Sequence, residues 1–270
     1  MRLLEACDGP NGLEFRLTED LNDGSIPLYA ILSHTWGPDS DEVSFQNMLN
    51  GAGKTKAGYD KIRFCGRQAR RDGLTHCWID TCCIDKSNST ELAEALNSMF
   101  NWYRRASRCY VFLPDVATAT VPQAWTPSFR ASRWFTRGWT LQELIAPKTV
   151  QFFAKDGLLL GDKPSLLSLI AEITGIAEAA LTGEPLDNFS LQERFNWADK
   201  RQTKREEDWA YSLLGIFGVF IHPIYGEGRE NAERRLRNEI RATAAAGKQL
   251  ETHEGHCEFH RHSQEPLPMY

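Results

Sequence analysis

The sequence of 270 residues contains no apolar run that approaches the length of a membrane-spanning helix. Its first residues, Met1–Asp8, reach charged side chains too early for a secretory signal peptide. An excess of positive charge is also lacking, since the formal net charge is −5, and this argues against a broad basic surface for nucleic acid or for an anionic membrane. We therefore expect a cytoplasmic protein with no nucleic acid and no membrane among its partners.

The cysteines provide no disulfide framework. There are seven of them, an odd number, and their spacing is irregular. Reduced thiols in a cytosolic protein fit this pattern better than a disulfide scaffold, and most of the cysteines should be small core residues. Hydrophobic residues make up 41% of the chain and charged residues 25%, which is ordinary for a globular protein with a substantial core.

Strand and helix patterns alternate along the first part of the chain. Short apolar runs, typical of strands buried on both faces, occur at residues 28–32, 74–79, 109–113 and 149–153. Helical patterns separate them, and the clearest begins with the capping-box pair Asn88 and Glu91 and continues in an apolar stripe to Tyr103. This alternation predicts an α/β fold with a doubly wound, flavodoxin-like parallel sheet of four or five strands.

The character of the chain changes after residue 160. Helical patterns then recur at residues 166–173, 191–198, 209–220 and 231–245. They predict a helical extension, residues 161–247, that packs on an α/β domain of residues 1–160. Residues 248–270 lose periodicity and are predicted to form a disordered tail. The tail contains a cluster of histidines from His253 to His262, but it lacks a Cys-x-x-Cys pair, so we expect no metal site.

Polar and aromatic residues follow the first two predicted strands. They are Ser33, His34, Trp36 and Asp80. Loops that follow parallel strands meet at one edge of the sheet, where ligands bind. Further along the chain, Trp139 and Glu143 stand one helical turn apart, so a buried indole could hold the Glu143 carboxylate in place. We expect Ser33, His34, Trp36, Asp80 and Glu143 to line a single cleft.

Three ordered segments resemble a known family. Tyr29–Gly37, Trp78–Asp85 and Ser132–Leu144 are similar, in that order, to the three motif blocks of the fungal heterokaryon incompatibility (HET) domain. The resemblance covers residues 28–155, and Tyr225–Gly228 resembles the C-terminal continuation found in the same proteins. It implies a cell-death effector of fungal heterokaryon incompatibility and immunity. Its expected partners are further copies of itself or an upstream sensor or oligomerisation protein.

A more distant resemblance concerns chemistry. A strand ending in Leu32 and Ser33, a strand ending in Asp80 and a helix reading Trp-x-Leu-x-Glu-Leu are similar to Toll/interleukin-1 receptor (TIR) domains. In those domains the glutamate of that helix is the catalytic residue of NAD cleavage, and the resemblance gives this role to Glu143. NAD would be the substrate, and no cofactor is expected. The acidic and Gly-rich insertion after Trp36 departs from the TIR pattern and alters the expected mouth of the pocket.

The expected substrate contacts are Ser33, His34, Trp36, Asp80, Arg137 and Trp139. Several have a second interpretation. His34 and Trp36 either stack on a base or nicotinamide or are ordinary packing groups. Asp80 either binds a ribose hydroxyl or caps the next loop. Arg137 either meets a phosphate or is a solvated arginine.

Two alternatives to this assignment stay open. Cys82 or Cys83 could pair with His34 as a thiol nucleophile, although adjacent cysteines after a strand are usually buried. The whole domain could also be a non-catalytic, TIR-like adaptor that recruits partners. The presence of both Trp139 and Glu143 favours the enzyme, because an adaptor has no need of an oriented carboxylate.

Overall fold

The computed structural model describes residues 1–10, 12–118 and 123–258, with the side chains of the last helix described up to residue 246. These residues form one seven-stranded mixed sheet with helices packed around it. The strands are β1 (Leu4–Gly9), β2 (Gly12–Leu17), β3 (Tyr29–His34), β4 (His76–Trp78), β5 (Arg108–Leu113), β6 (Val150–Ala154) and β7 (Leu159–Asp162). Their order in the sheet is β2-β1-β4-β3-β5-β6-β7.

The centre of the sheet is parallel, as the sequence predicts. β3 pairs in parallel with β4 on one side and with β5 on the other, and β5 pairs in parallel with β6. From one side of the sheet to the other, these strands are the second, first, third and fourth of the set along the chain. A flavodoxin-like sheet begins with the same strand order. All six residues of β3 are buried, as expected for a central strand that is covered on both faces.

The prediction of a wholly parallel, doubly wound sheet is wrong at both edges. β1 and β2 form an antiparallel hairpin, β1 also pairs antiparallel with β4, and β7 pairs antiparallel with β6. Such edge strands have one solvated face, so they lack the continuous apolar runs that identify the central strands. The hairpin turn includes Gly12 at φ 109°, a backbone conformation that residues other than glycine rarely adopt.

The helices surround this sheet. They are α1 (Phe45–Leu49), α2 (Tyr59–Arg71), α3 (Asp80–Cys83), α4 (Ser89–Arg105), α5 (Thr126–Arg130), α6 (Thr140–Ile145), α7 (Leu167–Thr174), α8 (Glu178–Leu181), α9 (Leu191–Asn196), α10 (Asp208–Tyr211), α11 (Leu214–Phe217) and α12 (Arg229–Glu258). No helix among the described residues is both long and apolar enough to cross a membrane.

The two helices that the sequence predicts most clearly are present. α2 packs on β3 and β4 and buries its stripe of Ile62, Cys65 and Ala69. α4 begins after Asn88, whose side chain accepts hydrogen bonds from the backbone N–H groups of Thr90 and Glu91. The capping box is only half formed, because the Glu91 carboxylate instead accepts from the backbone N–H of Asp85 and from Arg2.

The helical extension is part of the same core as the sheet. α11 contacts α4 and α8 contacts α6, and one cluster of buried side chains runs from Leu3 to Ile240. The boundary expected at residue 160 falls inside β7, which completes the sheet. The helix predicted over 209–220 is divided into α10 and α11, and Gly218 ends the second at φ 65°.

The end of the chain differs from its prediction in one respect. α12 continues to Glu258, beyond residue 248, where the sequence predicts that regular structure is lost. The remainder of the predicted tail, residues 259–270, lies outside the described residues.

Candidate functional site

A cavity of about 330 Å³ lies where β3 and β4 end. Six of the seven residues selected from the sequence line it, namely His34, Trp36, Asp80, Arg137, Trp139 and Glu143. The wall also contains residues that the sequence analysis did not select. They include Leu92, Leu96, Met99 and Tyr103 from α4, the loop residues Asp39, Ile84 and Lys86, and Lys204, Arg205, Asp208 and Tyr225 from the helical extension. The extension therefore forms part of the site.

Ser33 is the predicted residue that does not line the cavity. It is fully buried, and its hydroxyl donates a hydrogen bond to Glu143 Oε2. The indole Nε1 of the fully buried Trp134 donates to Ser33 Oγ at 2.8 Å. Side chains alternate between the two faces of a strand, so Leu32 and His34 reach the cavity while Ser33 does not. Ser33 supports the carboxylate from behind.

The anchor expected at Trp139 is at Trp134 instead. Trp139 is only half-buried and forms cavity wall, because α6 begins at Thr140 and leaves Trp139 at the N-cap position. The i, i+4 argument requires both residues inside one helix, and this helix is too short at its N-terminus to satisfy it. Trp134 lies outside the helix and reaches Glu143 through Ser33, a connection that helical spacing does not reveal.

Glu143 lies in a strongly desolvated position. Its side chain is buried, with 8% of the residue surface exposed. Burial raises the pKa of Glu143 to about 8, against the lowering effect of the Ser33 hydrogen bond and of the Arg137 guanidinium, and the nearby Asp80 charge raises it further. The carboxyl group is therefore largely protonated at neutral pH when the cavity holds no cationic ligand.

Arg201 is a buried cation that lies next to α6. Its guanidinium donates to the backbone oxygen of Arg137 and to Thr140 Oγ1, both at 2.9 Å. Burial lowers the pKa of Arg201 to about 10, although the neighbouring Glu143 opposes that shift. The position carries no motif that would separate it from a solvated arginine, so sequence reasoning did not select it.

Asp80 is the central residue of a second set of interacting polar side chains in the cavity. Its Oδ1 lies 3.1 Å from His34 Nε2, and its Oδ2 accepts from Trp36 Nε1 at 2.9 Å. Lys86 Nζ lies 3.5 Å from Oδ2 and 3.8 Å from the centroid of the Trp36 ring. Burial alone would raise the pKa of Asp80, but Lys86, His34 and Trp36 together hold it well below its usual range. Asp80 is thus a fixed carboxylate.

His34 is engaged at both ring nitrogens. Lys61 Nζ lies 3.2 Å from Nδ1, and Nε2 lies 3.1 Å from Asp80 Oδ1, where the carboxylate accepts the Nε2 proton. The ring orients Asp80. It has no free nitrogen for a thiol.

The cysteine alternative is not supported by this geometry. Cys82 and Cys83 are buried, and the Cys82 thiol donates to the backbone oxygen of Ile79 at 3.8 Å. A hydrogen bond with Cys83 and burial raise the pKa of the Cys82 thiol well above its usual range. Neither sulfur is paired with His34.

Basic residues gather at the mouth of the cavity. Within the described part of the chain, the guanidinium of Arg137 makes no ion pair, while Lys204 pairs with Asp39. The guanidinium of Arg205 lies 4.0 Å from the centroid of the Tyr225 ring. A second cavity of about 280 Å³ shares four wall residues with the first: Trp36, Asp39, Arg137 and Lys204.

The described side chains contain no group of three or more His, Cys, Asp or Glu residues placed to hold a metal ion. The histidine cluster of the tail, from His253 to His262, lies outside those side chains.

Comparison with known proteins relates this chain to a protein family. Residues 29–124 match the family described as heterokaryon incompatibility protein (HET). The chain is also 55% identical, over 244 residues, to the vegetative incompatibility protein HET-E-1 of Podospora anserina. That alignment covers 89% of this chain but only 18% of the relative. No solved structure matches the chain. The family match includes His34, Trp36 and Asp80 and ends before Arg137 and Glu143.

Proposed function

Because this chain belongs to the heterokaryon incompatibility (HET) domain family, we propose that it is a cytoplasmic cell-death effector of incompatibility and fungal immunity. We propose further that it acts as a TIR-like NAD nucleosidase, which cleaves the bond between ribose and nicotinamide. The observation that carries the second proposal is the buried Glu143 carboxyl group, held by Ser33 in the wall of the cavity.

The dimensions of the cavity suit one half of a dinucleotide. Its volume of about 330 Å³ lies at the lower end of the range for small-molecule pockets, roughly 300–1,000 Å³. Trp36, Trp139 and Tyr225 supply aromatic surface for a nicotinamide ring, and Asp80 supplies a fixed carboxylate that can accept from ribose hydroxyls. Nicotinamide riboside therefore fits the polar and aromatic groups of the wall.

In the proposed reaction the C–N glycosidic bond breaks first. Its electron pair moves to the pyridinium nitrogen, so nicotinamide leaves as a neutral molecule and needs no proton. The ribose is left with oxocarbenium character, and the Glu143 carboxylate stabilises that positive charge. Water then attacks the sugar carbon and loses its proton to Glu143 or to solvent.

The raised pKa of Glu143 is compatible with this role because NAD carries its own cation. A pyridinium placed beside the carboxyl group favours the charged form and lowers the pKa from about 8. The charge on Glu143 would then appear when the substrate is bound. Ser33 can donate to the carboxylate throughout.

The strand order supports the TIR-like element of the proposal. The four parallel strands have the order in which a flavodoxin-like sheet begins, and the cavity lies at their carboxyl ends, where such sheets bind ligands. We propose that the partners of this chain are further copies of itself or an upstream oligomerisation protein, because these are the partners expected of a cell-death effector.

The test is nicotinamide release from NAD by concentrated protein, followed by chromatography. We expect the wild type to release nicotinamide and Glu143→Gln to lose activity roughly 100-fold or more, since removal of one transition-state charge costs on the order of 3 kcal/mol. Glu19→Gln, at an exposed position outside the cavity, is the matched control and should stay active. Toxicity in a fungal host should fall with the activity.

The alternative outcome identifies an adaptor. A folded Glu143→Gln protein that kills as well as the wild type, together with a wild type that releases no nicotinamide even when assembled, would exclude the nucleosidase. The cell-death role would survive that result, and the cavity would then need another ligand.

A further inference from the structure

The mouth of the cavity is more basic than its interior. Arg137, Lys204 and Arg205 lie at the opening, and the acidic groups near them are Asp39, which pairs with Lys204, and Asp208, which interacts with Arg205. Lys86 is already engaged by Asp80 and by the face of Trp36. An excess of arginine and lysine beside a nucleoside-sized cavity is the arrangement that recognises phosphate oxygens.

These cations come from two parts of the chain that are joined directly. The backbone of Gln202 donates to Thr136 O at 2.6 Å and accepts from the N–H of Gly138 at 2.9 Å. A Cβ on Gly138 would lie 2.4 Å from Thr203 Cγ2, so any larger residue here would force the Thr203 side chain to move. The bridge fixes Arg137 next to the segment that carries Lys204 and Arg205.

Lys204 has an exchangeable partner. Its side chain is 56% exposed and that of Asp39 is 71% exposed, and exposed ion pairs of this kind contribute little to stability. A phosphate could therefore replace Asp39 as the partner of Lys204 at little cost. The ion pair also spans the mouth, because Asp39 follows β3 whereas Lys204 belongs to the helical extension.

On the basis of the proposed function, we infer that Arg137 and Lys204 bind the diphosphate of a pyridine dinucleotide, with Lys204 leaving Asp39 to do so. The nicotinamide riboside half occupies the inner cavity, and the phosphates lie in the adjoining outer cavity of about 280 Å³. The two cavities share Arg137 and Lys204, which places both cations between the halves of the ligand. The substrate class is thus a dinucleotide rather than a free nucleoside.

Binding can be measured without cleavage in the Glu143→Gln background. Titration calorimetry with NAD, ADP-ribose and nicotinamide riboside should show NAD bound at least tenfold more tightly than nicotinamide riboside. Arg137→Ala and Lys204→Ala should each weaken NAD and ADP-ribose binding severalfold and leave nicotinamide riboside unchanged. Asp39→Asn should tighten NAD binding, because it removes the competing carboxylate.

Matched controls are available on the same segments. Arg133 and Lys200 are exposed and lie outside both cavities, so Arg133→Ala and Lys200→Ala should bind NAD like the parent protein. Thermal melting establishes that every variant is folded. The inference is overturned if the double variant Arg137→Ala with Lys204→Ala binds NAD as tightly as the parent, or if no phosphate-bearing ligand binds.

The two proposals fail in different ways. If the wild type releases no nicotinamide but binding still depends on the phosphates, Arg137 and Lys204, then the nucleosidase is excluded and the phosphate site stands. If NAD is cleaved and the KM values of Arg137→Ala and Lys204→Ala equal that of the wild type, the phosphate site is excluded and the nucleosidase stands.

Discussion

The hydroxyl of Ser33 donates a hydrogen bond to the carboxyl group of Glu143, across 110 residues of sequence. The same hydroxyl accepts from the indole N–H of Trp134 at 2.8 Å. A serine hydroxyl has a single proton, so the chain of hydrogen bonds runs in one direction, from Trp134 through Ser33 to Glu143. Two residues that do not line the cavity therefore help to orient the carboxyl group.

Ser33→Ala should remove the hydrogen bond that orients the Glu143 carboxyl group and lowers its pKa. The substitution removes a hydrogen bond that lowers the pKa of Glu143, so that pKa should rise above its value of about 8. It also leaves the buried Trp134 N–H without its partner, which should cost about 1–3 kcal/mol of unfolding free energy. Carbon-13 NMR of the glutamate carboxyl group would follow the titration, and urea unfolding would follow stability.

Ser25→Ala is the matched control for this prediction, because Ser25 is exposed and donates only to the nearby backbone oxygen of Asn22. An unchanged Glu143 titration in Ser33→Ala would contradict the proposed support.

Glu143→Gln should stabilise the empty protein in a pH-dependent way. Folding raises the pKa of Glu143 from its ordinary value of 4.5 to about 8, so the folded state favours the protonated form. The wild type keeps this advantage below about pH 4.5 and loses it as the pH rises through 8. The two proteins should be equally stable near pH 4, and the variant should be more stable by an amount on the order of 4 kcal/mol above pH 8.

Urea unfolding at pH 4, 6 and 9 would measure this difference, with Glu19→Gln as the control that shows no such trend. A constant difference between Glu143→Gln and the wild type across these pH values would show that Glu143 ionises normally.

Substitution of Trp134 should mainly lower stability, whereas substitution of Trp139 should mainly weaken ligand binding. Trp134 is fully buried, and Trp134→Ala should cost about 3–5 kcal/mol of unfolding free energy. Trp139 is half-buried cavity wall, so Trp139→Ala should cost less stability and weaken binding of nicotinamide riboside more. Chemical unfolding and ligand titration on the same two proteins would separate the effects. Equal destabilisation would restore Trp139 as the structural anchor.

Asp80→Asn should lower stability at neutral pH and have less effect in acid. The charged groups around Asp80 hold its pKa well below the ordinary value of 3.8, so its charge stabilises the fold above that pH. This contribution declines as the pH falls below about 3.8 toward the folded value. We expect a loss of about 1–3 kcal/mol at pH 7 and a smaller one at pH 3, measured by urea unfolding.

An independent check of the Asp80 prediction is the fluorescence of Trp36, whose indole donates to Asp80. Its emission should change in Asp80→Asn at pH 7. Equal losses of stability at pH 7 and pH 3 would mean that the negative charge is not what stabilises this group.

The sequence alone determined the central elements of the protein. Continuous apolar runs identified the four parallel strands, because a strand buried on both faces needs an apolar side chain at nearly every position. Short polar segments after those strands then indicated the edge at which His34, Asp80 and Glu143 meet. The family resemblance was equally accessible, since it depends on ordered motifs rather than on contacts, and the family match confirms it.

Tertiary structure decided how the site is assembled. The antiparallel edges of the sheet carry no continuous apolar pattern, and the residues from Lys204 to Tyr225 reach the cavity only because the helical extension folds back over it. Trp134 replaced Trp139 as the anchor because a hydrogen bond through Ser33 joins segments far apart in the chain. Local periodicity reports which residues share a face of one element, whereas contacts between elements depend on how the whole core packs.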